Sequence, residues 1–280
     1  MPDPSAPVSA ALFKDRKSIM TSALYSVTAT LAALLAPAAN AAEIKVIASN
    51  AVREPYRELV PVFEKATGHK VTIDWGGTVD IVKRIDAGEV ADIVIIPAPR
   101  IDDFVRQGKL TGRVDLARSG VGVAVRAGAP RPDISSAEAL RKTLLAAGSI
   151  VLSSGPSSIY LPTLFQRMGI ADELKPKIRQ IGPGLPVGEA VARGEGEIGF
   201  TQMSELMSVK GVDYLGPLPA EVQQITVFSA GLHTTAQEVV HEATQEATQK
   251  AAEEAARTLV RFLAAPEAAP VLRSHGMEPG

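Results

Sequence analysis

The sequence predicts an α/β protein of two lobes. Three observations carry this. Apolar, strand-length runs alternate with helix-length amphipathic runs from residue 44 to residue 108, the pattern of a parallel sheet covered by helices. One run, Asp92-Ile-Val-Ile-Ile96, is almost continuously apolar, as in a strand buried on both faces. The alternation then restarts after a β-like stretch at 121–125, so a second lobe follows the first.

Residues 44–48 are short, apolar and β-branched, a strand by length. Tyr56, Leu59, Val60 and Phe63 recur at helical spacing, which predicts a helix over 53–67 with Gly68 in the C′ position. Alternation in 70–75 predicts a second strand, followed by a Gly76-Gly77-Thr78 turn. Ile81, Val82 and Ile85 mark a helix ending at Gly88. After the strand at 92–96, Pro97 and Pro99 end the run, and a helix over 101–107 closes at Gly108. The second lobe reads as strand 121–125, helix 137–146, strand 149–152, helix 160–168, strand 179–181, helix 188–193 and strand 198–201. A β-branched run at 224–230 returns to the first lobe. A long helix at 236–264 then carries Val239, Ala243, Ala247, Ala251, Ala255 and Leu259 at steps of four. That narrow stripe predicts a solvated helix packed on a sheet by one edge.

The chain has 280 residues, 29 basic and 31 acidic, for a net charge of −2. This near balance excludes the basic excess of a nucleic-acid binder. No cysteine is present, which excludes disulfides, thiolate metal sites and cysteine nucleophiles. Lys14, Arg16 and Lys17 precede an uncharged, alanine- and leucine-rich stretch at 20–36, and then Pro-Ala-Ala-Asn-Ala ends at Ala41. That is the order of a secretory signal peptide over 1–41, with Met1 or Met20 as the start, and it predicts a periplasmic protein.

In open α/β sheets the ligand sits outside the carboxyl ends of the strands. Those ends carry Ser49-Asn50, Gly77-Thr78, the serine-rich Leu-Ser-Ser-Gly-Pro-Ser-Ser-Ile-Tyr at 152–160, the Gly182–Pro186 loop, and Thr201-Gln202 followed by Ser204. All are small, neutral and polar, and most open a helix. Each alone reads as an ordinary N-cap; together they also suit an anion held by helix N-termini. Arg118, just before the strand at 121, could reach a carboxylate bidentately or lie on the surface. No nucleotide-binding loop, nucleophile elbow or metal spacing of His69, His233, His241 and His275 appears, so no cofactor and no metal are expected. A general base could come from Asp80, Glu205 or Tyr160.

The stretch from Val46 through Asp92-Ile-Val-Ile-Ile96, with Ser-Ser-Ile-Tyr-Leu-Pro-Thr-Leu-Phe at 157–165 and Gly-Glu-Ile-Gly-Phe-Thr-Gln-Met-Ser-Glu at 196–205, resembles the periplasmic molybdate-binding proteins. These are type II solute-binding proteins of ABC importers, and the likeness extends over most of 43–280. The resemblance implies a type II periplasmic-binding-protein fold. Each lobe would be a central mixed sheet flanked by helices, the two joined by two crossing strands. Lobe I would comprise 42–121 plus 229–280 and lobe II 122–228. It also implies a monomer that holds a small anionic ligand and docks on an importer permease. By position, its ligand residues fall on Ser49, Asn50, Gly77, Thr78, Ser157, Ser158, the neighbourhood of Leu185, and Gln202. Asn50 and Gln202 replace a serine and a tyrosine of the family pattern, which points to a ligand with more oxygens than molybdate, such as a small di- or tricarboxylate. The same scaffold has aconitate-isomerase-like relatives, whose reaction would need Tyr160 or Glu205 to move a proton.

Overall fold

The computed structural model describes residues 41–182, 185–233 and 243–280. The expected signal peptide, apart from Ala41, and the residues Gly184 and Val239 lie outside them. The elements are β1 (Glu43–Ser49), α1 (Arg53–Thr67), β2 (Lys70–Gly76), α2 (Thr78–Asp86), β3 (Ile93–Pro97), α3 (Ala98–Arg106) and β4 (Leu110–Arg126). Next come α4 (Ala137–Ala146), β5 (Ile150–Leu152), α5 (Ser157–Arg167), α6 (Ala171–Leu174), β6 (Ile178–Gln180), α7 (Val187–Ala192), β7 (Ile198–Gln202) and β8 (Val212–Pro217). The chain closes with β9 (Ile225–His233), α8 (Ala243–Ala264), α9 (Ala269–Ser274) and β10 (Glu278–Pro279).

The strands run in the order β2-β1-β3-β9-β4-β7-β5-β6, with β8 and β10 also paired to β4. β1 pairs parallel with β2 and β3, while β9 is antiparallel to both β3 and β4. In the second lobe β5 pairs parallel with β6 and β7, and β4 is antiparallel to β7 and β8. Both sheets are therefore mixed.

β3 shows why the chain folds this way. All five of its residues are buried. Ile93 and Ile95 face a core shared with Tyr56, Leu59 and Phe63 of α1, whereas Val94 and Ile96 face one shared with Ile81 and Ile85 of α2 and Ile101 and Phe104 of α3. Helices thus cover both faces. α8 adds Ala255, Ala256, Leu259, Val260, Phe262 and Leu263 to the first core, a wider stripe than steps of four predict. Its Phe262 ring meets Phe63 edge-on at 5.5 Å, a favourable aromatic geometry. The second lobe repeats the plan, with α4 and α5 on one face and α7 on the other. Gly68 ends α1 with φ 77°, a left-handed conformation that favours glycine.

Three expectations need correction. α3 begins at Ala98 rather than 101 because Pro99 sits in its first turn, where proline needs no N–H donor. α5 likewise begins at Ser157, just after Pro156. β4 is 17 residues long and starts at Leu110. Two irregularities in its ladder with β9, between Thr111 and Val114 and between Asp115 and Ala117, break the alternation that would reveal a strand.

β4 belongs to both sheets. Gly120 pairs with Ile225 of β9, and the next residue, Val121, pairs with Gln202 of β7. The chain returns between lobes through residues 218–224, and Gln223 ties the two crossings together. Val121 N–H donates to Gln223 Oε1 at 2.8 Å, and Gln223 Nε2–H donates to Val121 O at 3.0 Å. A Cβ on Gly120 would lie 2.9 Å from Gln223 Nε2, so the amide packs flat against the crossing strand. Gln223→Ala removes the partner of Val121 N–H. It is expected to destabilise the fold by about 1–3 kcal/mol, the cost of stranding a buried donor, measured by urea denaturation.

Candidate functional site

Between the lobes lies a small cavity of about 20 Å³, room for about one water-sized sphere. Its walls are Ser49, Asn50 and Gly77 from the first lobe, and Ser153, Ser154, Gly155, Gly182, Leu185, Pro186, Val187 and Glu205 from the second. Every contributing segment is a strand end or the loop that follows one, the location the strand-end rule prescribes.

The lobes touch around it. Val79 N–H donates to Ser154 O at 3.2 Å, and Ser204 Oγ–H donates to Ala51 O at 2.7 Å. A Cβ on Gly77 would lie 2.0 Å from Ser154 Oγ, 2.9 Å from its Cβ and 3.0 Å from its carbonyl oxygen. Glycine is needed at 77 for this approach, not for its backbone angles, since φ is −75°.

The sequence-predicted residues divide three ways. Ser49, Asn50, Gly77 and Glu205 form the cavity wall. Ser49 also caps the short turn after β1, its Oγ accepting from Ala51 N–H at 3.3 Å, so cap and wall are one residue. Thr78, Ser157 and Gln202 are buried, none more than 1% exposed, and are not among the wall residues; Thr78 borders instead the groove of about 860 Å³ that Tyr160 also lines. Ser157 Oγ lies 3.1 Å from the Oγ of Ser153, which also accepts from Gly155 N–H at 3.0 Å. Asn50 Oδ1, Thr78 Oγ1 and both polar atoms of the Gln202 amide are buried with no hydrogen-bond partner, an arrangement that costs about 1–3 kcal/mol per group and that proteins otherwise avoid.

The remaining three lie elsewhere. Arg118 is exposed within β4, paired with Glu278, and its Nε–H donates to Pro279 O at 2.9 Å. It anchors the C-terminal strand. Ser158 turns its Oγ–H to Gly155 O at 2.7 Å. Tyr160 donates to Val222 O at 2.7 Å and accepts from Arg167 Nη2 at 2.9 Å. It lines a separate groove of about 860 Å³ with Pro97, Arg100 and Gln224 and holds α5 to the returning crossover.

Glu205 is the one carboxyl at the cavity. Burial pushes its pKa above the ordinary glutamate value, against the pull of hydrogen bonds from Thr201 and the Gln202 backbone and of the Arg53 charge. Thr201 Oγ1 lies 2.8 Å from Glu205 Oε1. Sequence reasoning placed Ser153 and Ser154 at a strand end without carrying them into the ligand set, and it missed Arg53, which lines a neighbouring pocket. The two serines follow β5 as Asn50 follows β1, so the strand-end rule applied to them as well. Arg53, the first residue of α1, had no such signal. The arrangement can offer an anion neutral polar groups from both lobes and place beside it a carboxyl whose burial favours its neutral form.

The chain is 38% identical over 202 residues to an aconitate isomerase from a Pseudomonas species, covering 69% of this chain and 77% of that protein. It is 24% identical over 193 residues to the molybdate-binding protein ModA of Escherichia coli K12, covering 65% and 74%. The solved periplasmic molybdate-binding protein of Azotobacter vinelandii superposes with a TM-score of 0.62 at 18% identity, over 84% of this chain and 98% of that one. This last likeness shows the fold alone, a type II periplasmic binding protein. Residues 44–278 match the bacterial extracellular solute-binding protein family, and the chain belongs to that family.

Proposed function

We propose that this is an exported, periplasmic, monomeric solute-binding protein that holds a small oxyanion or organic polycarboxylate between its lobes. The lobes are assigned as 42–121 with 229–280, and 122–228. They would close on the ligand by rotation about the Gly120–Val121 and 218–224 crossings, and the closed form would dock on an ABC importer permease. The observation that carries this reading is the wall of small, polar strand-end residues drawn from both lobes, Ser49, Asn50 and Gly77 from one and Ser153, Ser154 and Gly155 from the other, with Asn50 Oδ1 buried and unpaired within it. Polar atoms at strand ends in an interlobe site are preorganised donors and acceptors for a polar guest. Thermal shifts with molybdate, tungstate, sulfate, citrate and aconitate test it; no rise in melting temperature with any of them rejects it.

A second reading, an aconitate isomerase, is favoured by Glu205 and by the 38% identical relative. The reaction is an allylic proton shift. A base removes a proton from the methylene carbon, the electron pair delocalises over the three-carbon unit, and a proton returns to the former vinylic carbon. The double bond migrates and changes geometry, and no atom is gained or lost. A single carboxyl with a raised pKa can take and return that proton, and the neutral donors of the cleft would stabilise the developing charge. Mixing protein with cis-aconitate and following the trans isomer by proton NMR decides this. Conversion in the wild type, lost at least 100-fold in Glu205→Gln with binding retained, supports it. No conversion over hours at micromolar protein leaves the binding reading alone.

Four further outcomes are expected. Thr78→Ala removes a hydroxyl that has no partner in the protein, so stability should hold while ligand affinity falls about 3- to 10-fold. Ser157→Ala loses the bond to Ser153 and should weaken binding while the fold survives; calorimetric titration showing unchanged affinity in both would make them structural residues only. Gly77→Ala places a methyl group against the Ser154 backbone and should block closure, seen as lost affinity with an unchanged melting temperature for the free protein. Glu205 fixes the sign of a pH effect. Its folded pKa is raised above the ordinary 4.5, so the folded state binds the proton more tightly than the unfolded one. The stabilisation is full below 4.5 and is lost as pH rises through the raised value. Melting temperature should therefore fall less with rising pH in Glu205→Gln than in the wild type.

A further inference from the structure

The central cavity has a neighbour. A second pocket, of about 390 Å³, shares Asn50, Pro186 and Glu205 with it and is also lined by Arg53, Glu54, Arg57, Glu189 and Lys210. Its acidic members already have partners. Glu54 accepts from Arg57 at 3.0 Å, Glu189 from Arg193 at 3.0 Å, and Glu205 from Thr201 at 2.8 Å. Arg53 differs. Its guanidinium lies 5.5 Å from the centre of the Trp75 ring, and its Nε is buried with no hydrogen-bond partner. Among the described residues no carboxylate forms an ion pair with it. Burial, and then the nearby Arg57 charge, disfavour its charged form. An arginine fixed by an aromatic face, partly desolvated and left without an acceptor is a costly arrangement. A carboxylate meeting it would form a charge-assisted, bidentate pair.

The two compartments differ in size and chemistry. The inner one is small and lined mainly by neutral polar groups, while the outer one is large enough for several carbon atoms and holds Arg53, which feels the charges of Glu54, Glu205 and Glu189 but makes no ion pair with them. We infer that the ligand is an organic di- or tricarboxylate that spans both, one carboxylate at the inner strand-end donors and another on Arg53, with Glu205 beside the carbon chain that joins them. Arg53 is then the residue that separates polycarboxylates from tetrahedral oxyanions. Asn50 and Pro186, shared by both compartments, form the passage between them. This inference rests on the interlobe binding reading above.

Calorimetric titration with citrate, cis-aconitate, tricarballylate, acetate, molybdate and sulfate tests it. The proteins are the wild type, Arg53→Met, Arg53→Lys and Arg106→Met, each first checked for an unchanged circular dichroism spectrum and melting temperature. The wild type should bind at least one polycarboxylate more tightly than acetate or either oxyanion. Arg53→Met should weaken that binding roughly 10- to 100-fold, the worth of a lost charge-assisted pair. Arg53→Lys should restore part of it, because it keeps the charge without the planar fork, and Arg106→Met, at an exposed arginine outside both pockets, should stay within about threefold of the wild type. If the wild type prefers molybdate or sulfate, or if Arg53→Met binds polycarboxylates as tightly as the wild type, the inference is wrong while the cleft reading stands. If the wild type binds none of the six anions, the cleft reading falls and takes this inference with it.

Discussion

One strand and one side-chain amide set the geometry of the whole molecule. β4 is continuous through both sheets, so the twist of a single strand orients one lobe on the other. Gln223 bonds the backbone of that strand where it changes sheets, at Val121. The second crossover is thereby held to the first as a pair, not as two independent tethers. Every wall of the interlobe cavity inherits its position from this junction. Gln202, one of the unpaired buried groups, is the residue paired with Val121 across β7. The binding groups and the hinge therefore share a backbone ladder, and a change in lobe angle must be felt at the site.

The site combines two strategies for an anion. Neutral hydroxyls, amides and backbone groups from strand ends line the inner cavity, where a full positive charge would be costly to desolvate. The cation stands outside it, on Arg53, where Trp75 supports it and water still reaches part of it. Glu205 lies between these zones. Its raised pKa follows from the same burial that favours neutral donors inside. A fixed negative charge there would repel an anionic guest, and the same burial disfavours that charge.

Much of this architecture was legible in the sequence. β3 announced itself because it is buried on both faces, and α1 because its buried stripe keeps a helical period up to Gly68. Ser49, Asn50 and Gly77 were found because strand ends are where open sheets bind, and burial of Thr78, Ser157 and Gln202 follows from their places beside those ends. The rest depended on contacts distant in sequence. The first half of β4 is polar and irregular, held by β9 and β10 from the far end of the chain, so no local period marks it. Arg118 looked free to bind because its partner, Pro279, lies at the opposite terminus. Tyr160 looked available as a base until α5 met the crossover at Val222. Arg53 escaped notice because an arginine opening a helix is ordinary; only its place over Trp75, without an acceptor, sets it apart.

The interlobe cavity also has a kinetic meaning. Its walls come from both lobes, and they meet where Gly77 leaves no side chain to hold them apart. The bonds of Ser154 and Ser204 across the interface stand on one side of it, and the outer pocket beyond Asn50 and Pro186 is the other way out. On the proposed reading, release of a guest would depend on how often the lobes part as well as on the contacts that hold it. Two chains with the same cavity and different crossovers could then hold the same molecule equally tightly and surrender it on different clocks.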